Sequence, residues 1–130
     1  MISNGIEPKP SILIVEDDQT ISTLLHHLLV RRGYDVQVAS DGQVALEMVD
    51  NMISLPQLIM LDVVLPYIDG FELINRIRSK HEWSEVPVIM LTSKAQERNI
   101  VRALEAGAND YMVKPFQPQE LIARIRRFVK

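Results

Sequence analysis

Two spacings of apolar residues alternate along the chain and define its elements. SILIV (11–15) is a short, continuously apolar, β-branched run, the pattern of a strand covered on both faces. Ile21, Leu24, Leu25, Leu28 and Leu29 then recur three and four positions apart, one stripe of an amphipathic helix that Gly33 ends. YDVQVA (34–39) alternates with period two, and Ser40-Asp41-Gly42 starts a second helix carrying Val44, Ala45, Met48, Val49 and Met52. QLIML (57–61) is the third strand run, and Asp69-Gly70 opens a helix with Phe71, Ile74 and Ile77 inside. VPVIML (86–91) is the fourth run; a helix over about 95–106 ends at Gly107. DYMVK (110–114) is the fifth strand, and a last helix from about 118 presents Leu121, Ile122, Ile125, Phe128 and Val129. Five strand–helix units with continuously apolar strands predict an α/β domain, a doubly wound parallel sheet with helices on both faces. In such sheets ligands bind beyond the carboxyl ends of the strands, where the strand order reverses.

Those strand ends carry the chemistry. Glu16, Asp17 and Asp18 follow the first strand, Asp62 the third, Thr92 and Ser93 the fourth, and Lys114, with Pro115 and Phe116, the fifth. Ser40 and Asp41, after the second, read as a helix cap. Each of these groups taken singly has an ordinary reading: Asp17 and Asp18 as caps, Asp62 as a turn residue, Thr92 as an N-cap, Lys114 as a surface lysine. Their joint arrival at one rim does not. Crowded carboxylates repel and have their pKa values raised. A hard divalent cation relieves the repulsion, and an all-oxygen donor set favours magnesium. A carboxylate between a cation and the Lys114 ammonium is placed to attack phosphorus and form an acyl phosphate, with Thr92 as a hydrogen-bond donor to the phosphoryl oxygens.

Composition narrows the picture. At 130 residues and 47% apolar, the chain fits one packed domain. It has no cysteine, which excludes disulfides and thiolate chemistry and suits a cytoplasmic protein. No apolar run approaches the roughly 20 residues of a membrane span, and MISNGIEPKPS lacks the layout of a signal peptide. Residues 1–10 read as a loose arm and 11–130 as the folded domain. A net charge of −3 gives no overall footprint for nucleic acid. His26, His27 and His81 read as surface residues.

ILIVEDD (12–18), LIMLDVVLPYIDGFEL (58–73), VPVIMLTSKA (86–95) and GANDYMVKPF (107–116), in this order, resemble the receiver domain of two-component response regulators. The resemblance spans roughly 11–130 and implies a flavodoxin-like (βα)5 sheet with strand order 2-1-3-4-5. It implies Asp62 as phosphoacceptor, with Glu16, Asp17, Asp62 and the backbone carbonyl of Val64 around Mg2+, Asp17 directly and Glu16 largely through water. Thr92 and Tyr111 match the switch pair, and Lys114 matches the lysine that pairs with the acceptor and then the phosphate, typically before a cis proline bond. The implied partner is a sensor histidine kinase or phosphotransfer protein, with no membrane and no direct nucleic-acid contact by this domain.

FQPQELIARIRRFVK (116–130) resembles the end of receivers that precede a winged-helix DNA-binding domain. That leaves either a stand-alone receiver or the front of a longer regulator. In that group a symmetric dimer forms through the fourth helix, fifth strand and fifth helix. Glu105, Asp110, Glu120, Arg124 and Arg126 are the candidates here, although Ile100 stands where that group is often basic. A phosphorylation-independent docking module would usually have lost one of the five site groups. A haloacid-dehalogenase-like phosphatase would need a second Asp where Val64 stands. A flavin protein of similar topology would need a hydroxyl-rich loop where Glu16-Asp17-Asp18 stands.

Overall fold

The computed structural model describes residues 9–52, 54–93 and 97–129. Its strands are β1 (Ser11–Val15), β2 (Asp35–Ala39), β3 (Leu58–Asp62), β4 (Val88–Thr92) and β5 (Asp110–Val113). Its helices are α1 (Gln19–Val30), α2 (Gly42–Asn51), α3 (Gly70–Ser79), α4 (Glu97–Glu105) and α5 (Pro118–Arg126), with a 3₁₀ turn over His81–Trp83. All strand pairings are parallel, in the order β2-β1-β3-β4-β5. This is the sheet that the apolar runs and the family resemblance predict. No described helix is long and apolar enough to cross a membrane.

The sheet separates two cores because side chains alternate across it. Leu13, Val15, Ile59, Leu61, Val88 and Met90 meet buried residues of α2, α3 and α4. Ile12, Ile14, Leu58, Met60, Ile89 and Leu91 meet α1 and α5 through Leu25, Leu29, Leu121, Ile122 and Ile125. Burial on both faces explains why β1, β3 and β4 read as unbroken apolar runs.

The strand borders move by one or two residues from the apolar runs. Pro87 has no N–H to donate, and β4 begins at Val88, while the Pro87 carbonyl accepts from Ile59 at 2.9 Å. β3 extends through Asp62, which stands opposite Leu91. The first helical stripe is also narrower than its spacing predicts. Leu25 and Leu29 are fully buried, but Leu24 is 49% exposed and lines the cleft at the carboxyl ends of the strands. Val38 is exposed because β2 is an edge strand. Residues 1–8 of the expected arm, the expected helix start at 95 and Lys130 lie outside the described residues.

At the opposite, amino-terminal edge of the sheet, Arg78 ties two connections together, the one that enters β4 and the one that enters β5. Its guanidinium donates to the carbonyls of Trp83 (3.0 Å), Val86 (2.6 Å) and Gly107 (2.9 and 3.2 Å) and to Asn109 Oδ1 (3.0 Å). Gly107 has φ +112°, and a Cβ there would stand 3.1 Å from the Arg78 side chain. Replacing Arg78 with Met would strand several half-buried acceptors. We expect Arg78→Met to lower the urea unfolding free energy by about 2–3 kcal/mol. Arg78→Lys should recover little of it, because a point ammonium lacks the planar fork.

Candidate phosphoryl-transfer site

The acidic run after β1 splits into three tasks. Asp18 caps α1, its Oδ1 accepting from the amides of Thr20 (2.9 Å) and Ile21 (3.2 Å). Asp17 stays exposed in the cleft. Glu16 is 1% exposed; its Oε1 accepts from Lys114 Nζ at 2.5 Å and its Oε2 from the Asp18 amide at 3.2 Å.

Asp62, the last residue of β3, is 6% exposed. Its Oδ2 accepts from Lys114 Nζ at 3.0 Å and its Oδ1 from the Val64 amide at 3.2 Å. Lys114 thus bridges two buried carboxylates. One carboxylate oxygen each of Glu16, Asp17 and Asp62 lies within 4.8 Å of the others. Three carboxylates face one ammonium, all donors are hard oxygens, and the excess is negative. That is a fit for a hard divalent cation rather than for a soft metal. The Lys114-Pro115 bond is cis.

Burial pushes the Glu16 carboxyl up to about 7, and its bond to Asp62 adds to the rise, while Lys114 opposes it. Burial alone would lower the Lys114 ammonium. Its bonds to Glu16 and Asp62 outweigh that and hold it above the ordinary lysine value.

The loop from β3 to α3 is tightly folded around Asp62. The Ile68 amide donates to the Pro66 carbonyl at 2.8 Å across Tyr67, whose φ is +70°. This is a γ-turn of the strained hand, centred on a side chain that is 83% exposed. Asp69 Oδ1 caps α3 through the Glu72 amide at 2.8 Å. The Gly70 amide donates to the Val63 carbonyl at 2.8 Å. A Cβ on Gly70 would stand 2.4 Å from the Asp62 carbonyl oxygen, so only glycine fits against the strand end.

The cleft, about 570 Å³, has an apolar wall of Ile21, Leu24 and Phe116 beside its acidic floor, with Val64 and Ser93 at the mouth. Of this wall the motifs carry only Phe116; Ile21 and Leu24 read from the sequence as ordinary members of the first helical stripe. Glu16, Asp17, Asp62, Val64 and Lys114 therefore come together as expected. Thr92 and Tyr111 form a separate pair behind them. Thr92 is fully buried and Tyr111 is 8% exposed. Burial raises the tyrosine phenol and its side-chain hydrogen bond with Thr92 opposes the rise.

The candidate dimer-face residues divide. Arg124 holds both oxygens of Asp110 at 3.0 Å and Glu120 at 3.1 Å. Arg127, not foreseen from the sequence, reaches Asp110 at 3.5 Å. Glu105 and Arg126 are exposed and join no ion pair among the described residues.

The model of the response regulator receiver domain matches residues 12–126. The chain belongs to this family. It is a receiver domain of the kind found in two-component response regulators. It is 44% identical over 119 residues to the alkaline phosphatase synthesis transcriptional regulatory protein PhoP of Bacillus subtilis, covering 92% of this chain and 48% of that protein. The chain thus spans about half the length of the curated relatives it matches. Among solved structures, the chemotaxis protein CheY4 of Vibrio cholerae superposes with a TM-score of 0.87 at 29% identity, covering 94% of this chain and all of that one. The receiver domain of a sensor histidine kinase from Pseudomonas aeruginosa, solved with magnesium coordinated in its active-site cleft, gives 0.84 at 32% identity over 93% of this chain and 98% of that one.

The raised Glu16 carboxyl makes metal-free stability of the receiver depend on pH. Its ordinary value is 4.5 and its folded value about 7. Between these the folded state keeps a proton that the unfolded state has lost, so stability is fullest below 4.5 and falls as pH rises towards 7. In chelator, melts at pH 5.5 and 7.5 should show a midpoint lower by several degrees at the higher pH. Magnesium should erase the difference, and so should Glu16→Gln.

Proposed function

We propose that this receiver accepts a phosphoryl group on Asp62 from a phosphohistidine of a sensor histidine kinase or phosphotransfer protein. An Asp62 carboxylate oxygen attacks phosphorus, the nitrogen–phosphorus bond breaks, and the imidazole leaves with the electron pair. Asp17, Asp62 and the Val64 carbonyl would hold Mg2+ directly, with Glu16 acting largely through water. The cation supplies charge neutralisation for the transferring phosphoryl oxygens. Lys114 orients Asp62, then pairs with the phosphate. Thr92 turns its hydroxyl to the phosphoryl group and Tyr111 follows it, which carries the change to the α4–β5–α5 face. The observation that carries this reading is Lys114 bonded at once to Glu16 and Asp62, with Asp17 in reach of the same point.

We assign this role to residues 11–130, with 1–10 as an arm, and place the protein in the cytoplasm. The domain would catalyse only its own phosphorylation and dephosphorylation. Its output would be dimerisation or control of a further domain, without nucleic-acid contact of its own; the transcriptional regulators among its relatives favour that output. Asp110, Glu120 and Arg124 already pair in one chain, leaving Glu105 and Arg126 free to reach a second copy. Val101 (46% exposed) and Leu104 (49% exposed) on α4 give that face an apolar centre.

With acetyl phosphate and magnesium, intact mass should rise by one phosphoryl group in the wild type and not at all in Asp62→Asn. No adduct in either protein would favour phosphorylation-independent docking instead. With beryllofluoride and magnesium bound, sedimentation should show a dimer. Leu104→Asp should weaken its self-association at least tenfold while leaving the mass adduct intact; a monomer in the wild type at high concentration would refute the dimer.

A further inference from the structure

α4 is lightly held. Among its described residues only Ala103 is fully buried, with Ile100 and Asn99 half-buried. Beside the packing of Ala103 and Ile100 on the core, α4 makes an electrostatic contact with α3: the Arg102 guanidinium carbon sits 4.0 Å above the centre of the Phe71 ring. Phe71 is 6% exposed, so Arg102 covers what would otherwise be an open aromatic face. A cation at this distance over a ring is held by the ring quadrupole and by stacking of its plane.

The position of Phe71 gives that contact reach. It is the second residue of α3, directly after Gly70, whose backbone abuts the Asp62 carbonyl and the Val63 Cα. Gly70 also closes the loop through its bond to Val63. The first turn of α3 and the backbone beside Asp62 therefore cannot move independently. Between this loop and α4 lies a niche of about 240 Å³, lined from Val63 to Leu65 and by Asp69, Phe71, Asn99 and Arg102. Arg102 and the loop thus line one space, with Arg102 lying over the Phe71 ring at its edge. The geometry points to Arg102 as a positioning residue for the site: from α4 it clamps Phe71, and through the first turn of α3 it fixes the loop that carries Val64 beside Asp62. The clamp rests on the contacts of Arg102, Phe71 and Gly70; its effect on magnesium rests on the function proposed above.

The test uses the full chain with Arg102→Met, Arg102→Lys, Phe71→Leu and the Phe71→Leu/Arg102→Met double variant. Arg102 is exposed, so its replacement leaves the core intact; Phe71 is buried in the core, and Phe71→Leu serves only as the background in which the contact is already absent. Arg102→Met keeps the aliphatic cover and removes the cation. It should raise amide hydrogen exchange at Gly70 and Leu73 about threefold, the size of an exposed cation–π contact, and leave Leu25 and Leu29 of α1 unchanged. Magnesium binding by titration calorimetry should weaken about threefold as well. Arg102→Lys should retain most of both. In the Phe71→Leu background, Arg102→Met should add nothing, because the contact is already gone. Unchanged exchange at Gly70, an equal rise in α1, or a full additional effect in the Phe71→Leu background would each overturn the clamp. Absence of magnesium binding by the wild type would overturn the magnesium reading alone, and the exchange arm would still decide the clamp.

Discussion

Two carboxylates buried at the end of a sheet need a positive charge, and the placing of Lys114 between Glu16 and Asp62 is the constraint that organises this molecule. A buried carboxylate without a partner is expensive. Here one ammonium serves two of them. That requires β1 and β3 to be neighbours and β5 to end within a lysine's length. The order β2-β1-β3-β4-β5 meets both conditions. β4 stands between, and it ends in Thr92 and Ser93, side chains too short to block the lysine stem. The remaining excess of negative charge points outward, to Asp17 and the cleft. One ammonium against three carboxylates leaves the site with an excess of negative charge, and Asp17 opens that excess to the cleft, where a divalent cation would offset it.

The loop after Asp62 shows what this arrangement costs. A γ-turn with positive φ at Tyr67 costs on the order of 1–3 kcal/mol, and its side chain recovers none of that by burial. The turn shortens the path so that Asp69 caps α3 and Gly70 lies flat against the strand end. A relaxed loop would carry Val64 away from the carboxylate whose oxygen its amide binds. The strain is stored one turn away from the chemistry, and the contact of α3 with the backbone of β3 holds it in place.

Much of this was legible in the chain itself. The alternation of continuously apolar runs with amphipathic stripes reports burial on both faces of a parallel sheet, and the polar residue that ends each run marks the rim. Glu16, Asp17, Asp62, Thr92 and Lys114 could be placed at one edge for that reason. What local pattern could not carry was the division of labour. Nothing in EDD says that Glu16 turns inward to a lysine, that Asp17 faces the cleft and that Asp18 caps a helix. Leu24 fits the helical stripe, yet it is diverted to the cleft wall because the helix begins beside the site. Arg78 and Arg102 stand in no motif that singles them out, and Arg124 reads as a candidate for a dimer face rather than as the partner of Asp110 within one chain. Their partners lie 29, 31 and 14 positions away, at Gly107, Phe71 and Asp110, and pairing at such separations leaves no trace in periodicity.

Glu16 and Lys114 stand 98 positions apart, so the first and last strands close the site jointly. During synthesis, β1 and β3 can assemble with their carboxylates long before the lysine has been made. Until then the two acids face each other without their shared cation, and the end of the sheet is self-repelling. Completion of the last strand is therefore what makes the half-built sheet electrostatically sound. A chain that stops before β5 holds the acidic cluster without the ammonium that bridges it.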